Sequence, residues 1–243
     1  MTEISLMIPT GTLATYIATP DGSGPWPGVV VIHDALGMSQ DVRRQADWLA
    51  REGYLAAAPD LFDGKDLFRC MRSVLRDYSR GSGPMFDKVE AVRRWLAGHE
   101  GSSGKVGLIG FCFGGGFALM LAPNRGFSAA SANYGPLPKN AEAFLQAACP
   151  IVASYGAHDG TLKGASAKLE SILTLAGVPH DVKEYPDAAH AFMNDHHDDR
   201  FPFYISALSL FFGGGGYHEP SALDSQRRII AFFDEHLKAV TAP

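Results

Sequence analysis

The sequence predicts an α/β fold with a mostly parallel central sheet and helices on both of its faces. Short apolar runs alternate with amphipathic stretches along the 243 residues, which is the pattern of parallel strands joined by crossover helices. One of the runs, "KVGLIGF", has no polar alternation, as expected for a strand that is covered on both faces. The length suits one domain, and no internal repeat or linker interrupts it, so we expect a single domain over residues 1–243.

The strand predictions depend on short apolar runs that end at turn-forming residues. The first two runs, "LATYIAT" and "GVVVIHD", precede every helix, and we expect these first strands to add an antiparallel edge to the sheet. The remaining predicted strands are "YLAAAPD", "KVGLIGF", "FSAASANYG", "PIVASYG" and "DVKEYPDA".

Two amphipathic stretches give the clearest helix predictions. In "SQDVRRQADWLAREG", Ser39 can cap the start, Gly53 can end the helix, and the residues that share a face are Val42, Ala46 and Leu49. In "PMFDKVEAVRRWLAG" the shared face is formed by Phe86, Val89, Val92 and Leu96. Further helical patterns cover residues 139–147, 162–176 and 223–238.

Two stretches lack a clear pattern and are predicted to be lids or binding loops. Residues 61–83 carry four arginines with little apolar periodicity, and residues 194–221 include "NDHHDD" and "FFGGGGYHEP". Long loops in a single domain commonly serve binding. We therefore expect substrate specificity to depend on these two stretches.

Composition excludes several classes of protein. Apolar residues make up 46% of the chain, enough for a large core, and a net charge of −5 without a long basic run argues against nucleic acid as a partner. No run reaches the roughly 18 apolar residues of a membrane span, and "MTEISLMIPTG" lacks the segments of a signal peptide, so we expect a soluble cytoplasmic protein. Three widely spaced cysteines without a C-x-x-C pair predict reduced thiols rather than disulfides or a zinc site.

The stretch "GLIGFCFGGGF" places Cys112 in a G-x-C-x-G turn between a predicted strand and a helix. The related G-x-S-x-G turn is the nucleophile elbow of α/β-hydrolases, in which the turn residue is strained and the glycines provide clearance. The positive end of the following helix would stabilise a thiolate and an oxyanion. A packed core cysteine is the competing interpretation. A P-loop is excluded because no Lys-Ser/Thr follows the glycines.

Two further residues complete a candidate catalytic triad. A cysteine nucleophile needs a base, and the base needs an orienting group. Asp159 follows the strand "PIVASYG" and His190 follows the next strand, so both are expected at the sheet edge that carries the elbow. The order nucleophile, acid, histidine is that of α/β-hydrolases. His158 and Asp187 are the nearest alternatives for the two roles.

In the stretch "VVVIHDALGM", His33 and Asp34 follow the strand that supplies the second oxyanion donor in such folds. The backbone N–H groups of Ala35 and Phe113 are the candidate donors. Asp34 is a candidate contact for the resting thiol, and a turn residue before the first helix is an equally good explanation of it. The stretch "NDHHDDR" lacks the helical i, i+4 spacing of a metal site, so we expect no metal.

At these residues the sequence resembles the dienelactone hydrolase family, the carboxymethylenebutenolidase-like α/β-hydrolases. The matching stretches are "VVVIHDALGM", "REGYLAAAPDLF", "GKVGLIGFCFGGGFAL", "ANYG", "YGAHDG" and "YPDAAHAF". The cysteine in the elbow is the specific part, since most relatives with this fold carry serine. The resemblance implies the α/β-hydrolase fold and a triad of Cys112, His190 and Asp159. It also implies hydrolysis of a lactone or ester through a thioester acyl-enzyme, without a metal or organic cofactor.

The chain departs from the family's pattern at two positions. Asp34 stands where the family usually has the glutamate that holds the resting thiol, and it is one methylene shorter. Asn194 stands where the family has one of two arginines that bind a substrate carboxylate. Arg69 and Arg72 are the candidates for the other arginine. The resemblance therefore implies contacts with substrate or resting thiol at these four positions.

The sequence thus predicts a cysteine-dependent hydrolase whose partner is a small-molecule lactone or ester. The alternative is a non-catalytic α/β-hydrolase fold that binds a small hydrophobic ligand, for which a broken triad would be expected. A redox thiol would need Cys70 or Cys149 as a resolving partner near Cys112.

Overall fold

The computed structural model describes residues 1–65, 67–199 and 216–238, without the side chains of residues 67–69 and 71. Within these residues eight strands form one sheet in the order β1-β2-β4-β3-β5-β6-β7-β8. The strands are β1 (Thr2–Ile8), β2 (Gly11–Ala18), β3 (Trp26–Ile32), β4 (Leu55–Pro59), β5 (Ser102–Phe111), β6 (Ala129–Asn133), β7 (Ile151–Gly156) and β8 (His180–Tyr185). Six of the eight run parallel, so the predicted α/β class is confirmed.

The antiparallel edge consists of β1 and β2. Strand β2 pairs antiparallel with both β1 and β4, as predicted for "LATYIAT". The prediction that "GVVVIHD" belongs to this edge is wrong, because β3 lies inside the sheet and pairs parallel with β4 and β5. Strand β1 was not predicted, although Ile4, Leu6 and Ile8 alternate with polar or exposed residues as an edge strand requires.

Helices cover both faces of the sheet. They are α1 (Gln40–Arg51), α2 (Leu67–Arg80), α3 (Pro84–Gly98), α4 (Phe113–Leu121), α5 (Ala141–Phe144), α6 (Ala165–Ala176) and α7 (Glu219–Phe233), followed by a π-helical turn at Asp234–Lys238. Helices α1 and α7 pack on the face that carries Val29 and Val31. Helices α3, α4 and α6 pack on the opposite face, with Val30 and Ile32. Successive side chains of β3 point to opposite faces of the sheet and therefore pack in two separate apolar cores.

The predicted loop at 61–83 is wrong over most of its length, because α2 occupies Leu67–Arg80. The four arginines recur three or four residues apart, which is helical spacing, and Arg72, Arg76 and Arg80 are exposed. The inward face carries Val74 and the buried Asp77. Apolar residues of this segment also recur at helical spacing, at Leu67, Met71, Val74 and Tyr78, so the prediction overlooked an amphipathic pattern that the sequence contains.

The predicted loop at 194–221 is only partly described. Residues 194–199 form turns, residues 200–215 lie outside the described residues, and α7 begins at Glu219, four residues before the predicted start. No helix within the described ranges is long and apolar enough to cross a membrane. The carboxyl ends of β3, β5, β6, β7 and β8 meet at one edge of the sheet, where the candidate site lies.

Candidate active site

Cys112 occupies the sharp turn between β5 and α4. Its backbone has φ 55° and ψ −123°, a conformation that non-glycine residues rarely adopt. The N–H of Cys112 donates to the carbonyl oxygen of Asn133 at 3.0 Å, which ties the turn to the end of β6. Such strained positions persist only where the surrounding structure enforces them, and they are concentrated at functional sites.

The glycines of the turn provide clearance, as predicted. A Cβ at Gly110 would lie 2.0 Å from the carbonyl oxygen of Gly114, and a Cβ at Gly114 would lie 2.6 Å from the carbonyl oxygen of His33. Neither contact is possible for a carbon atom. The first turn of α4 therefore rests directly on the backbone that leaves β3, and the elbow lies beside the residues that follow that strand.

Cys112, His190 and Asp159 form one hydrogen-bonded chain. His190 Nε2 lies 3.1 Å from Cys112 Sγ, and His190 Nδ1 lies 2.5 Å from Asp159 Oδ2. The other oxygen of Asp159 accepts from the Thr161 N–H at 2.9 Å and from the Thr161 hydroxyl at 2.6 Å. Both oxygens of this buried carboxylate are thus held, so Nδ1 carries a proton and Nε2 faces the thiol.

The charges and hydrogen bonds of the triad favour a positively charged imidazole on His190. Burial opposes the positive charge on His190, but hydrogen bonds to Asp159 and Cys112 outweigh it and raise the pKa of His190 to about 10. Burial also opposes the negative charge on Asp159, whose pKa is nevertheless lowered by its bonds to His190 and Thr161. A positive imidazole beside a sulfur atom is the arrangement that stabilises a thiolate.

The alternatives considered for each triad position lie elsewhere. His158 and Asp187 are exposed, whereas Asp159 and His190 are largely buried and in contact. Among the three cysteines, none of which forms a disulfide, burial raises the pKa of the Cys149 thiol to about 12. The sulfur of Cys112, by contrast, contacts the imidazole of His190.

The turn from Asp34 to Gly37 contains the first candidate oxyanion donor. The Leu36 N–H donates to Asp34 Oδ1 at 2.7 Å, and the Gly37 N–H donates to the Asp34 carbonyl oxygen at 3.3 Å. The Ala35 N–H has no partner among the described residues. The Phe113 N–H, at the start of α4, has no intrahelical acceptor. The two predicted donors are therefore both available on adjoining segments.

The predicted contact of Asp34 with the resting thiol is not present. Its carboxylate accepts from the Leu36 N–H through one oxygen and contacts His196 Nε2 at 3.0 Å through the other. His190 is the hydrogen-bonding partner of the sulfur instead. Asp34 is thus a turn residue, the alternative that its spacing also allowed.

The predicted substrate contact of Asn194 is also wrong. Its side chain is buried, its Oδ1 accepts from the Tyr134 hydroxyl, and its Nδ2 donates to Asp41 Oδ2 at 2.6 Å. An amide with both ends occupied inside the protein is not free to bind a ligand. Arg72 lies exposed on α2, and the side chain of Arg69 lies outside the described residues, so their predicted contacts remain predictions.

Several residues that support the triad were not predicted. The ring of Tyr134 packs edge-on against the imidazole of His190, with 5.3 Å between ring centroids. Its hydroxyl reaches Asn194, which in turn reaches Asp41 at the start of α1. This buried series holds the loop after His190 against α1. Only Thr161 has a sequence signal, since a hydroxyl two residues after an aspartate is typical of a turn.

Comparison with known proteins assigns the fold and the reaction class. The model of the dienelactone hydrolase family matches residues 13–237, which is most of the chain. The chain belongs to the dienelactone hydrolase family. The resemblance predicted from the sequence is therefore confirmed, as are the α/β-hydrolase fold and the assignment as a hydrolase of lactones or carboxylic esters.

Relatives of this dienelactone hydrolase family member match it over nearly its whole length. The Yersinia pestis protein named "Putative carboxymethylenebutenolidase" is 28% identical over 95% of this chain and 87% of its own. The crystal structure of "Putative Dienelactone Hydrolase" from Klebsiella pneumoniae is 27% identical, with a TM-score of 0.78 over 96% of this chain and 98% of that one. A dienelactone hydrolase-like promiscuous phosphotriesterase from metagenomic libraries, 22% identical, has the same fold, with a TM-score of 0.78 over 97% of both chains.

Proposed function

We propose that this family member is a cysteine-dependent hydrolase in which Cys112 attacks the acyl carbon of a lactone or ester. The observation that carries the proposal is the contact of His190 with Cys112 Sγ at 3.1 Å, on a ring whose other nitrogen is held by Asp159. A nucleophile, a base and an orienting group in hydrogen-bond contact are what covalent catalysis requires.

In the first half-reaction a thioester forms. With the thiol proton held on His190 Nε2, a lone pair of the Cys112 thiolate forms a bond to the carbonyl carbon as the carbonyl π electrons move to oxygen. The N–H groups of Ala35 and Phe113 stabilise this oxyanion, and the loss of one such donor typically slows turnover by about 10²–10³-fold. The tetrahedral intermediate collapses, the bond to the alkoxide breaks, and His190 returns the proton to the leaving oxygen.

In the second half-reaction water replaces the alcohol. His190 removes a proton from water, and the hydroxide attacks the thioester carbon to form a second oxyanion in the same site. Collapse breaks the carbon–sulfur bond, releases the carboxylic acid and returns a proton to sulfur. Asp159 stays ionised throughout and holds the imidazole in one orientation.

The proposal is tested with Cys112→Ala, assayed on p-nitrophenyl acetate and on simple lactones. We expect loss of hydrolysis in a variant that unfolds at the wild-type temperature, and an acyl adduct on the Cys112 peptide of wild type by mass spectrometry after rapid acid quench. Cys149→Ala is the matched control and should keep both the activity and the adduct. Full hydrolysis by folded Cys112→Ala would refute the proposal, and ligand binding without adduct or hydrolysis would favour the non-catalytic alternative.

We further propose that α2 contributes to substrate recognition, because the predicted carboxylate contacts Arg69 and Arg72 both lie on it. Pairs of esters that differ only by a carboxylate provide the test. Arg69→Ala and Arg72→Ala should raise KM for the charged member of a pair alone if either guanidinium binds it. Equal KM values for wild type and both variants would remove these residues from the site.

A further inference from the structure

His33 is a buried polar side chain that the catalytic steps above do not use. It follows β3 and has no solvent-exposed surface. Its ring lies edge-on to Phe62 and to Phe113, with 4.6 Å and 5.9 Å between ring centroids. A fully buried imidazole between aromatic rings is costly unless each of its nitrogens has a hydrogen-bond partner.

Both ring nitrogens have a backbone partner, and these partners determine the tautomer. The Leu61 backbone nitrogen lies 3.2 Å from His33 Nε2, and an N–H can only donate, so Nε2 is an acceptor. The proton is therefore on Nδ1, which donates to the carbonyl oxygen of Asp34 at 2.7 Å. Burial lowers the pKa of His33, against the opposing effect of its bond to Asp34, and so favours the neutral ring that this pattern requires.

The bond to Asp34 determines the direction of the next backbone N–H. The Asp34–Ala35 peptide is trans, and in a planar trans peptide the C=O and N–H groups point in opposite directions. With the Asp34 carbonyl turned toward His33, the Ala35 N–H points away from that ring. The next two N–H groups of the turn are already occupied, so Ala35 supplies the available donor.

We propose that His33 is a positioning residue for the oxyanion hole: anchored on Leu61, its neutral imidazole holds the Asp34–Ala35 peptide with the Ala35 N–H directed at the oxyanion. This inference rests on the proposed function, because the oxyanion forms only when a nucleophile attacks the acyl carbon. Leu61 follows β4 and Ala35 follows β3, so the pairing of these neighbouring strands sets the donor's position.

Two variants separate the two hydrogen bonds of the ring. An asparagine amide is placed near the Nδ1 position and can donate to Asp34, whereas a glutamine amide extends toward the Nε2 position and can accept from Leu61. His33→Asn keeps the bond to Asp34 but loses the anchor on Leu61, so it should lower kcat less than His33→Gln does. His33→Gln should lower kcat by roughly 10- to 100-fold with little change in KM, since a displaced oxyanion donor weakens only the transition state. Both variants lose the same ring packing.

A second readout isolates the oxyanion from the nucleophile. Alkylation of Cys112 by iodoacetamide displaces iodide at a CH₂ carbon and forms no oxyanion, so its rate reports the Cys112–His190 pair alone. We expect this rate to be unchanged in His33→Gln while hydrolysis of p-nitrophenyl acetate falls. Equal turnover by the two variants, or alkylation slowed in parallel with hydrolysis, would overturn the inference.

The tautomer can be measured in the wild-type protein without any substitution. Long-range ¹H–¹⁵N correlation spectra should show His33 neutral and protonated at Nδ1, and a proton on Nε2 would overturn the inference even if neither variant folds. Failure of the proposed function is distinguishable, because it appears as hydrolysis by Cys112→Ala. An inactive Cys112→Ala beside a fully active His33→Gln would refute the role of His33 alone.

Discussion

His196 joins two segments that flank the candidate active site, and this link should make stability depend on pH. Its Nε2 contacts Asp34 Oδ2 at 3.0 Å, on the turn that carries Ala35, and its Nδ1 contacts Asp199 Oδ2 at 2.9 Å. The second oxygen of Asp199 accepts from the Gln40 N–H at 2.8 Å. With a carboxylate at each ring nitrogen, His196 donates from both and is therefore an imidazolium.

The size and sign of the effect follow from the pKa. Burial opposes the charge on His196, but Asp34 and Asp199, with Asp41 nearby, raise its pKa from 6.5 to about 9. At about 1.4 kcal/mol per pKa unit, the difference between the pKa of His196 in the folded and unfolded states corresponds to roughly 3 kcal/mol of unfolding free energy. Because the folded-state pKa is the higher one, this stabilisation is fully present below pH 6.5. It falls as the pH rises and is lost above about pH 9.

The assay is urea unfolding of wild type and His196→Asn at about pH 6 and about pH 9.5, which bracket the two pKa values. We expect wild type to exceed the variant by roughly 3 kcal/mol more at the lower pH. His197→Asn is the matched control, because His197 is exposed and its ion pairs with Asp195 and Asp198 should contribute little. A difference between wild type and His196→Asn that is the same at both pH values would refute the reasoning.

Three further predictions concern the triad, the elbow and the residue that packs on His190, and Gly98→Ala serves as a control for the second. Asp159→Asn should lower kcat by on the order of 10⁴ without unfolding the protein, because an amide donates to Nδ1 and imposes the wrong tautomer; steady-state kinetics with circular dichroism test this. Gly110→Ala should lower the unfolding free energy by about 4 kcal/mol or more, since its Cβ would lie 2.0 Å from a carbonyl oxygen. Gly98→Ala, with nothing within 4 Å, should be neutral or stabilising in the same denaturation series. Tyr134→Phe should cost about 1–3 kcal/mol in thermal unfolding, because Asn194 loses a buried donor, and should leave kcat near the wild-type value.

The candidate site was predictable where it follows from the parallel sheet. Strands with continuous apolar runs place whatever follows them at one edge, so Cys112, Asp159 and His190 could be brought together from their positions after three strands. The glycine spacing of the elbow is likewise local, because the clashes at Gly110 and Gly114 arise within a few residues of the turn or on the adjoining strand end. The apolar pattern of the strands and their parallel direction are therefore enough to predict where the three triad residues lie.

The residues that hold the triad in place could not be predicted, because their partners are distant in sequence. Asn194 contacts Asp41, 153 residues earlier, and His196 contacts Asp34, 162 residues earlier. Neither spacing leaves a pattern in the chain. The family's arginine position gave Asn194 a role in substrate binding, whereas its amide is used inside the protein. Helix α2 was missed for a different reason, since its apolar residues Leu67, Met71 and Val74 do recur at helical spacing and the prediction overlooked them.

The elbow also determines which parts of this motif can vary. Its steric demands fall on Gly110 and Gly114, whose missing side chains let α4 start against the sheet, and the atoms nearest to a Cβ at either position are backbone oxygens rather than atoms of the Cys112 side chain. A hydroxyl could therefore replace the thiol of Cys112 with no rearrangement of the backbone. The same backbone turn can therefore present either sulfur or oxygen as the nucleophilic atom. The activity of Cys112→Ser would measure how far the imidazole of His190 is matched to sulfur rather than to oxygen.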